Sequence, residues 1–128
     1  MHKEEVKIER CVLKIRNDIL FTEFLPKTHL TIEDAKEIVK ARIRYSDGAT
    51  YNVIVDLTNV VKVEFAVRKY LASHDGYEGI EKLAIIAKSR LSRMMANFFL
   101  KLDRPVKPTM AFTSIEKAQM WLKGFSLN

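Results

Sequence analysis

Acids, bases and nucleophiles are thinly spread along this chain, and their spacing decides what each could do. Asp56 closes the run YNVIVD, Thr58 follows it, and Lys88 follows the run KLAIIA. Ligands of parallel α/β sheets bind beyond the carboxyl ends of the strands, so these three residues are rim candidates. A carboxylate at such a place also serves to cap the turn behind it. Proton-transfer or hydrolytic chemistry would need Asp56 and His74 to meet in a cleft. Cys11 lies inside a β-rich run without a sign of activation, which points to packing. Metal ligation finds little to use: His2, His29 and His74 are far apart, Cys-x-x-Cys is absent, and His74-Asp75 reads as a helix-end turn. None of the four glycines forms the cluster that a phosphate loop needs. A non-enzymatic chain without metal or cofactor is the expectation.

The densest chemistry lies in SRLSRMMANFFLKLDRPVKPTMAF, residues 89–112. Between Lys88 and Lys107 six basic residues face one acid, Asp103. Ser89, Arg90, Ser92 and Arg93 open a helix, where unpaired N–H groups and the dipole favour an anion, so they are anion-binding candidates. At 100° per residue, Leu91, Met94, Met95, Phe98, Phe99 and Leu102 share one arc of roughly 140°. That arc is expected to lie on a sheet. Arg90, Arg93, Asn97 and Lys101 form the opposite stripe, a solvated face or a partner surface, with Leu100 beside it. Phe98 and Phe99 are thus assigned to the core and not interleaved with the cations, which argues against nucleic-acid stacking. The same assignment argues against a membrane-surface role. Pro105 and Pro108 bracket a turn, because each disfavours helix in the residue before it.

These residues need elements to hold them. Val6 to Ile15 and ILFTEFL flank Asn17-Asp18, which reads as an antiparallel hairpin. HLTIEDAKEIVKARIRYSDG changes to helical period through Ile32, Ala35, Ile38, Val39 and Ile43, with the stem of Arg42 beside them. Thr31 and Asp34 cap its start and Asp47-Gly48 its end. YNVIVDLTNV and KLAIIAK are β-branched or apolar runs suited to strands buried on both faces. EFAVRKYLASHDG is a short helix stopped at Gly76, TMAF a short strand, and TSIEKAQMWLKGF a last helix with Thr113 and Glu116 in capping-box spacing. Trp121, Leu122 and Phe125 are expected in its core face. The order β-β-α-β-α-β-α-β-α implies an α/β fold with a mixed, mostly parallel sheet and about four helices.

At 128 residues, with 48% apolar and 30% charged residues, the chain has the size and balance of one globular domain, 1–128. The charged N-terminus MHKEEVKIER is unlike a signal peptide, and no apolar run reaches a membrane-spanning length. One cysteine forms no internal disulfide, so a reduced, cytoplasmic setting is the expectation. The net charge of +6 comes mostly from the 88–107 stretch.

With TIEDAKEI, VIVDLTNV, ANFFLKLDRPVKPTMAF and KAQMWL in that order, residues 6–125 resemble the SpoIIAA-like, or STAS-fold, family. The likeness is closest to small stand-alone uncharacterised bacterial SpoIIAA-like proteins. Anti-sigma-factor antagonists of this fold are phosphorylated on a Ser in an Asp-Ser motif after the strand that VIVDLTNV resembles. Spacing from Asp56 puts Glu64 at the Asp position and Phe65 at the Ser position, with Ala66 next. Glu64 keeps the charge, but neither Phe65 nor Ala66 accepts phosphate, so the phospho-switch is absent or displaced. The resemblance implies a regulatory, protein-interacting domain with a protein partner and self-association. Its surface candidates are Glu64, Phe65, Arg68 and Lys69, together with Arg90, Arg93, Asn97 and Lys101. Phe65 is either a core residue at the helix start or an exposed anchor.

Overall fold

The architecture comes from a computed structural model that describes residues 3–124, so His2 and the expected core residue Phe125 lie outside the described residues. The hairpin forms as the sequence dictates. Strand β2 (Cys11–Arg16) turns at Asn17 and Asp18 into β3 (Ile19–Phe24). Both turn residues have positive φ, 54° and 64°, a conformation that Asn and Asp tolerate and that matches the strand twist. The run Val6–Ile15 is not one strand: Val6 and Lys7 close β1 (Lys3–Lys7), which pairs as an antiparallel edge on β2.

Beyond β3 the chain crosses over repeatedly. Helix α1 (Ile32–Tyr45) leads to β5 (Tyr51–Asp56), α2 (Phe65–Ala72) to β7 (Ile80–Ile86), and α3 (Arg90–Phe98) to β8 (Thr109–Phe112). The sheet order is β1-β2-β3-β5-β7-β8, with β3, β5, β7 and β8 mutually parallel. Each crossover steps to the next strand in the same direction, so right-handed connections put α1, α2 and α3 on one face. The last helix, α4 (Ile115–Leu122), covers the other. Two short strands absent from the expected order, β4 (Thr28–Leu30) and β6 (Val60–Val63), pair in parallel as a separate two-stranded sheet.

The packing follows the pleat. Leu13, Leu20, Val53, Leu83 and Ile85 belong to the core under α1–α3, while Ile19, Phe21, Ile54, Ala84 and Ile86 belong to the core under α4. Leu83 to Ile86 are all buried, as a central parallel strand covered on both faces requires. Thr31 caps α1 through a complete capping box with Asp34. Ser114, and not Thr113, caps α4: its Oγ accepts from the Lys117 N–H. Leu122 is buried, and Trp121 is half-buried with its ring 5.7 Å from that of Phe112. No helix among the described residues is long and apolar enough to cross a membrane.

Candidate docking face

Helix α3 is turned about its axis relative to the expectation. Its buried residues are Ser92 and Ala96, with Phe99 just beyond its end and Met95 half-buried. Leu91, Met94, Phe98 and Leu102 are exposed, Leu102 to 61%. The apolar arc therefore does not cover the sheet; it stands beside the contact by roughly a quarter-turn. The physical reason lies in the small residues. Ser92 closes a capping box with Ser89, which draws its side chain inward, and Ala96 lets the helix axis approach the sheet closely. A face of Met and Phe would hold the helix farther off.

The helix does not run on regularly to Leu102 either. A π-helical turn, Phe99–Asp103, follows α3 and ends at Arg104 in the left-handed region, φ 49°. The wider turn places Asp103 under α2. Its carboxylate is wholly buried and makes ion pairs of 3.5 Å with Arg68 Nε and with Lys69 Nζ. Two cations of α2 are thereby tied to the segment that follows α3.

Phe65 opens α2 and is 65% exposed, so the alternative of a core position falls. The Arg68 guanidinium lies 5.5 Å from the Phe65 ring centroid and 5.5 Å from that of Phe98, bridging the two helices by cation–π contact. Lys69 Nζ lies 5.4 Å from the Phe65 centroid. Glu64 precedes the helix without capping it by its side chain, and its carboxylate is 3.6 Å from His29 Nε2. Val61 on β6 adds another exposed apolar residue to this side of the molecule, where β6 and α3 are in contact. Phe65 and Phe98 thus flank a fixed guanidinium, and Leu91, Met94 and Leu102 are exposed along the same helical stripe as Phe98. An exposed apolar cluster of this kind marks an interaction surface.

The basic stripe lies along one flank of that cluster. Arg90, Arg93, Asn97 and Lys101 are all exposed, and the helical phase sets them next to Met94 and Phe98. They were expected to oppose the apolar arc directly; they adjoin it because α3 is divided into three stripes, small and buried, apolar and exposed, basic and exposed. Leu91, Met94, Phe98 and Leu102 are not taken up by the sheet and stay available to a surface partner.

The four anion-binding candidates share the start of α3 but not a cradle. Ser92 is buried, and its Oγ donates to the Ser89 carbonyl at 3.0 Å while accepting from the Ser89 N–H at 2.9 Å. Ser89 Oγ accepts from the Ser92 N–H at 3.0 Å. The Arg93 guanidinium donates to the Lys88 carbonyl at 3.0 Å. Only Arg90 keeps its charge uncommitted among the four.

The other singled-out residues serve local structure. Asp56 accepts from the Thr58 N–H at 2.9 Å and from its hydroxyl at 2.6 Å, closing the turn after β5. Cys11 is fully buried, and desolvation pushes its thiol up to about 12. His74 is exposed beyond the end of α2. Among the described residues no group of His, Cys, Asp and Glu could hold a metal ion. Sequence reasoning missed Asp103 as the anchor of the two α2 cations; its position as the one acid in a basic stretch was the available signal.

The profile of a domain of unknown function, DUF7793, matches residues 13–126. No curated protein matches the chain. Among solved structures, the fold is similar to that of an uncharacterized protein of the DUF3478 family from Shewanella loihica PV-4, described as having a SpoIIAA-like fold. That pair is 16% identical with a TM-score of 0.58, over 88% of this chain and 91% of the other. The NMR structure of the protein TM1081 is 18% identical with a TM-score of 0.58, over 88% and 87% of the two chains. At these identities the likeness is one of fold: a SpoIIAA-like α/β architecture.

Proposed function

The chain belongs to the DUF7793 family of domains of unknown function, and from that premise we propose that it is a non-enzymatic docking domain whose α2–α3 face receives an acidic amphipathic helix of a partner protein. The observation that carries this reading is the exposed stripe Leu91, Met94, Phe98 and Leu102, joined to the exposed Phe65 where Arg68 bridges the Phe98 and Phe65 rings. Its spacing of three and four residues is the seam by which one helix packs on another. A helix laid there would find apolar knobs on two sides and a guanidinium already held in place. The flank of Arg90, Arg93 and Lys101 favours acidic residues on the arriving helix.

The same flank speaks against a second copy as the occupant, since two identical faces would set like charges opposite one another. A docking role also fits the loss of the hydroxyl at Phe65 and Ala66, where a phosphorylated member of this fold carries Ser. Control here would come from the partner's own availability. Asp56 and Cys11, the nearest approaches to catalytic groups, are engaged in a turn and in the core.

Affinity capture of the tagged protein from its own cells, with cross-linking to locate the partner segment, tests the proposal. Phe65→Glu and Phe98→Glu are expected to lose the partner, whereas Met120→Glu on α4 retains it. The cross-linked segment is expected to be an acidic amphipathic helix. Retention by both face variants would overturn the reading. So would a dimer that depends on Phe65 in sedimentation, or binding to anionic lipid vesicles in place of protein.

A further inference from the structure

The core under α1–α3 is not filled. A cavity of about 110 Å³ lies between the central strands and these helices. Phe24, Ile38, Val55, Ile85 and Phe99 contribute apolar wall, and Arg42 and Arg68 contribute the charged side chains. A void of this order, walled mainly by aliphatic and aromatic groups, has room for an aromatic ring or a short hydrocarbon; a cavity of roughly 150 Å³ holds benzene. Native cores close such gaps unless something occupies them, because an empty void forfeits contact energy.

Arg42 is the unusual member of that wall. It is 6% exposed, and it projects from the apolar face of α1 beside Ile38. Its Nη2 donates to the carbonyls of Gly76 at 2.9 Å and Glu78 at 3.0 Å, clamping the turn that leads into β7. Its Nε is buried without any hydrogen-bond partner, and the guanidinium makes no ion pair with a carboxylate among the described residues. Burial pushes its pKa down to about 10, which leaves it charged at neutral pH. Glu78 lends favourable charge nearby without an ion pair to the guanidinium, and a carboxylate hydrogen-bonded to the free Nε would offset more of the cost of burying the cation. The turn clamp alone uses one end of the guanidinium and leaves the buried Nε donor unused in a mostly apolar cavity.

We infer that the cavity is a binding site for a small apolar monocarboxylate, of about five to seven carbons by volume, whose carboxylate pairs with Arg42 Nε and whose hydrocarbon fills the space between the central sheet and helices α1–α3. The cavity shares Arg68 with the docking face, but the binding site rests on Arg42 and the apolar walls and not on the docking reading. The neutral amide of the same acid has the same shape and lacks the charge, which makes it the decisive comparison.

The test is titration of the intact protein with hexanoate, benzoate, hexanamide and pentanedioate, read by methyl NMR of Ile38, Val55 and Ile85 and by melting temperature. Hexanoate or benzoate is expected to shift those methyl signals and to raise the melting temperature with concentration. The acid is expected to bind at least tenfold more tightly than hexanamide, and pentanedioate not at all. Ile38→Phe, which fills the void, is expected to abolish the shifts at the other two methyls. Absence of methyl shifts with both monocarboxylates at 10 mM (about a hundredfold above a 0.1 mM site) would overturn the inference, as would equal affinity for acid and amide. Should Ile38→Phe fail to fold, the acid-to-amide ratio on the unaltered protein decides alone.

Discussion

Cys11, the first residue of β2, is wholly buried, and burial holds its thiol protonated up to about pH 12 against an ordinary 9.0. Because the folded value is the higher one, the associated stability is complete below pH 9 and is lost as pH rises towards 12. At pH 8 a thiol reagent is therefore expected to label the native protein only as fast as it unfolds, and the denatured chain at once. Fast labelling without loss of structure would show that β2 opens locally. At the same scale, Phe65 illustrates why single residues resist reading from sequence. It is the first residue of α2, where the helical phase leaves both an inward and an outward direction open, and only the position of α3 decides. Arg42 was legible as a member of the apolar stripe of α1 through its stem. Its clamp on Gly76 and Glu78 depends on residues 34 and 36 positions away, which local pattern does not reach.

Element by element, α3 separates what periodicity specifies from what it does not. An amphipathic pattern specifies that a helix forms and which residues share a face; it does not specify which face meets the sheet when two faces compete. Here Ser92 and Ala96 win over the Met/Phe arc because close approach of the helix gains more contact than larger side chains held at a distance. Two substitutions measure this. Ala96→Leu is expected to cost about 1–3 kcal/mol by overpacking, whereas Met94→Ala is expected to change stability by less than about 0.5 kcal/mol. Chemical denaturation checks both, and the reverse ranking would restore the Met/Phe face to the core. The strands were easier to read. VIVD and LAII are β-branched or apolar runs, the second buried throughout and the first at Val53 and Ile54, and Asn17-Asp18 is a turn by its chemistry, so the hairpin and the parallel strands were legible. The short β4–β6 pair was not, because three- and four-residue strands show too little alternation to separate from loop.

Across the molecule as a whole, charge is distributed unevenly in a way that should govern how fast a partner arrives. The net charge is +6, and the cations of residues 88–107 are concentrated around α3 and the turn behind it. Association with an acidic helix is expected to slow by about tenfold or more when ionic strength rises from roughly 0.05 to 0.5 M, while dissociation changes little. Stopped-flow mixing of the captured partner with the protein measures this, and a salt-independent association rate would remove the electrostatic part of the docking model. The fold-level likeness to SpoIIAA-like structures was legible from element order because order survives where identity falls to 16–18%. The site was only partly legible, since the face that matters is assembled from β6, α2, α3 and a π-helical turn.

The outer edge of the sheet has its own consequence. Strand β1 offers Glu4, Glu5 and Lys7 to solvent, and its pairing with β2 is interrupted by an irregularity between Lys3 and Val6. Charge and broken register are the two devices by which an open strand avoids recruiting another chain. At the opposite margin β8 is only four residues long, Thr109–Phe112. A sheet so terminated has no long, smooth border for end-to-end growth, so the molecule can keep a crowded solution free of fibrils even while it displays Phe65 and Leu102 to every neighbour.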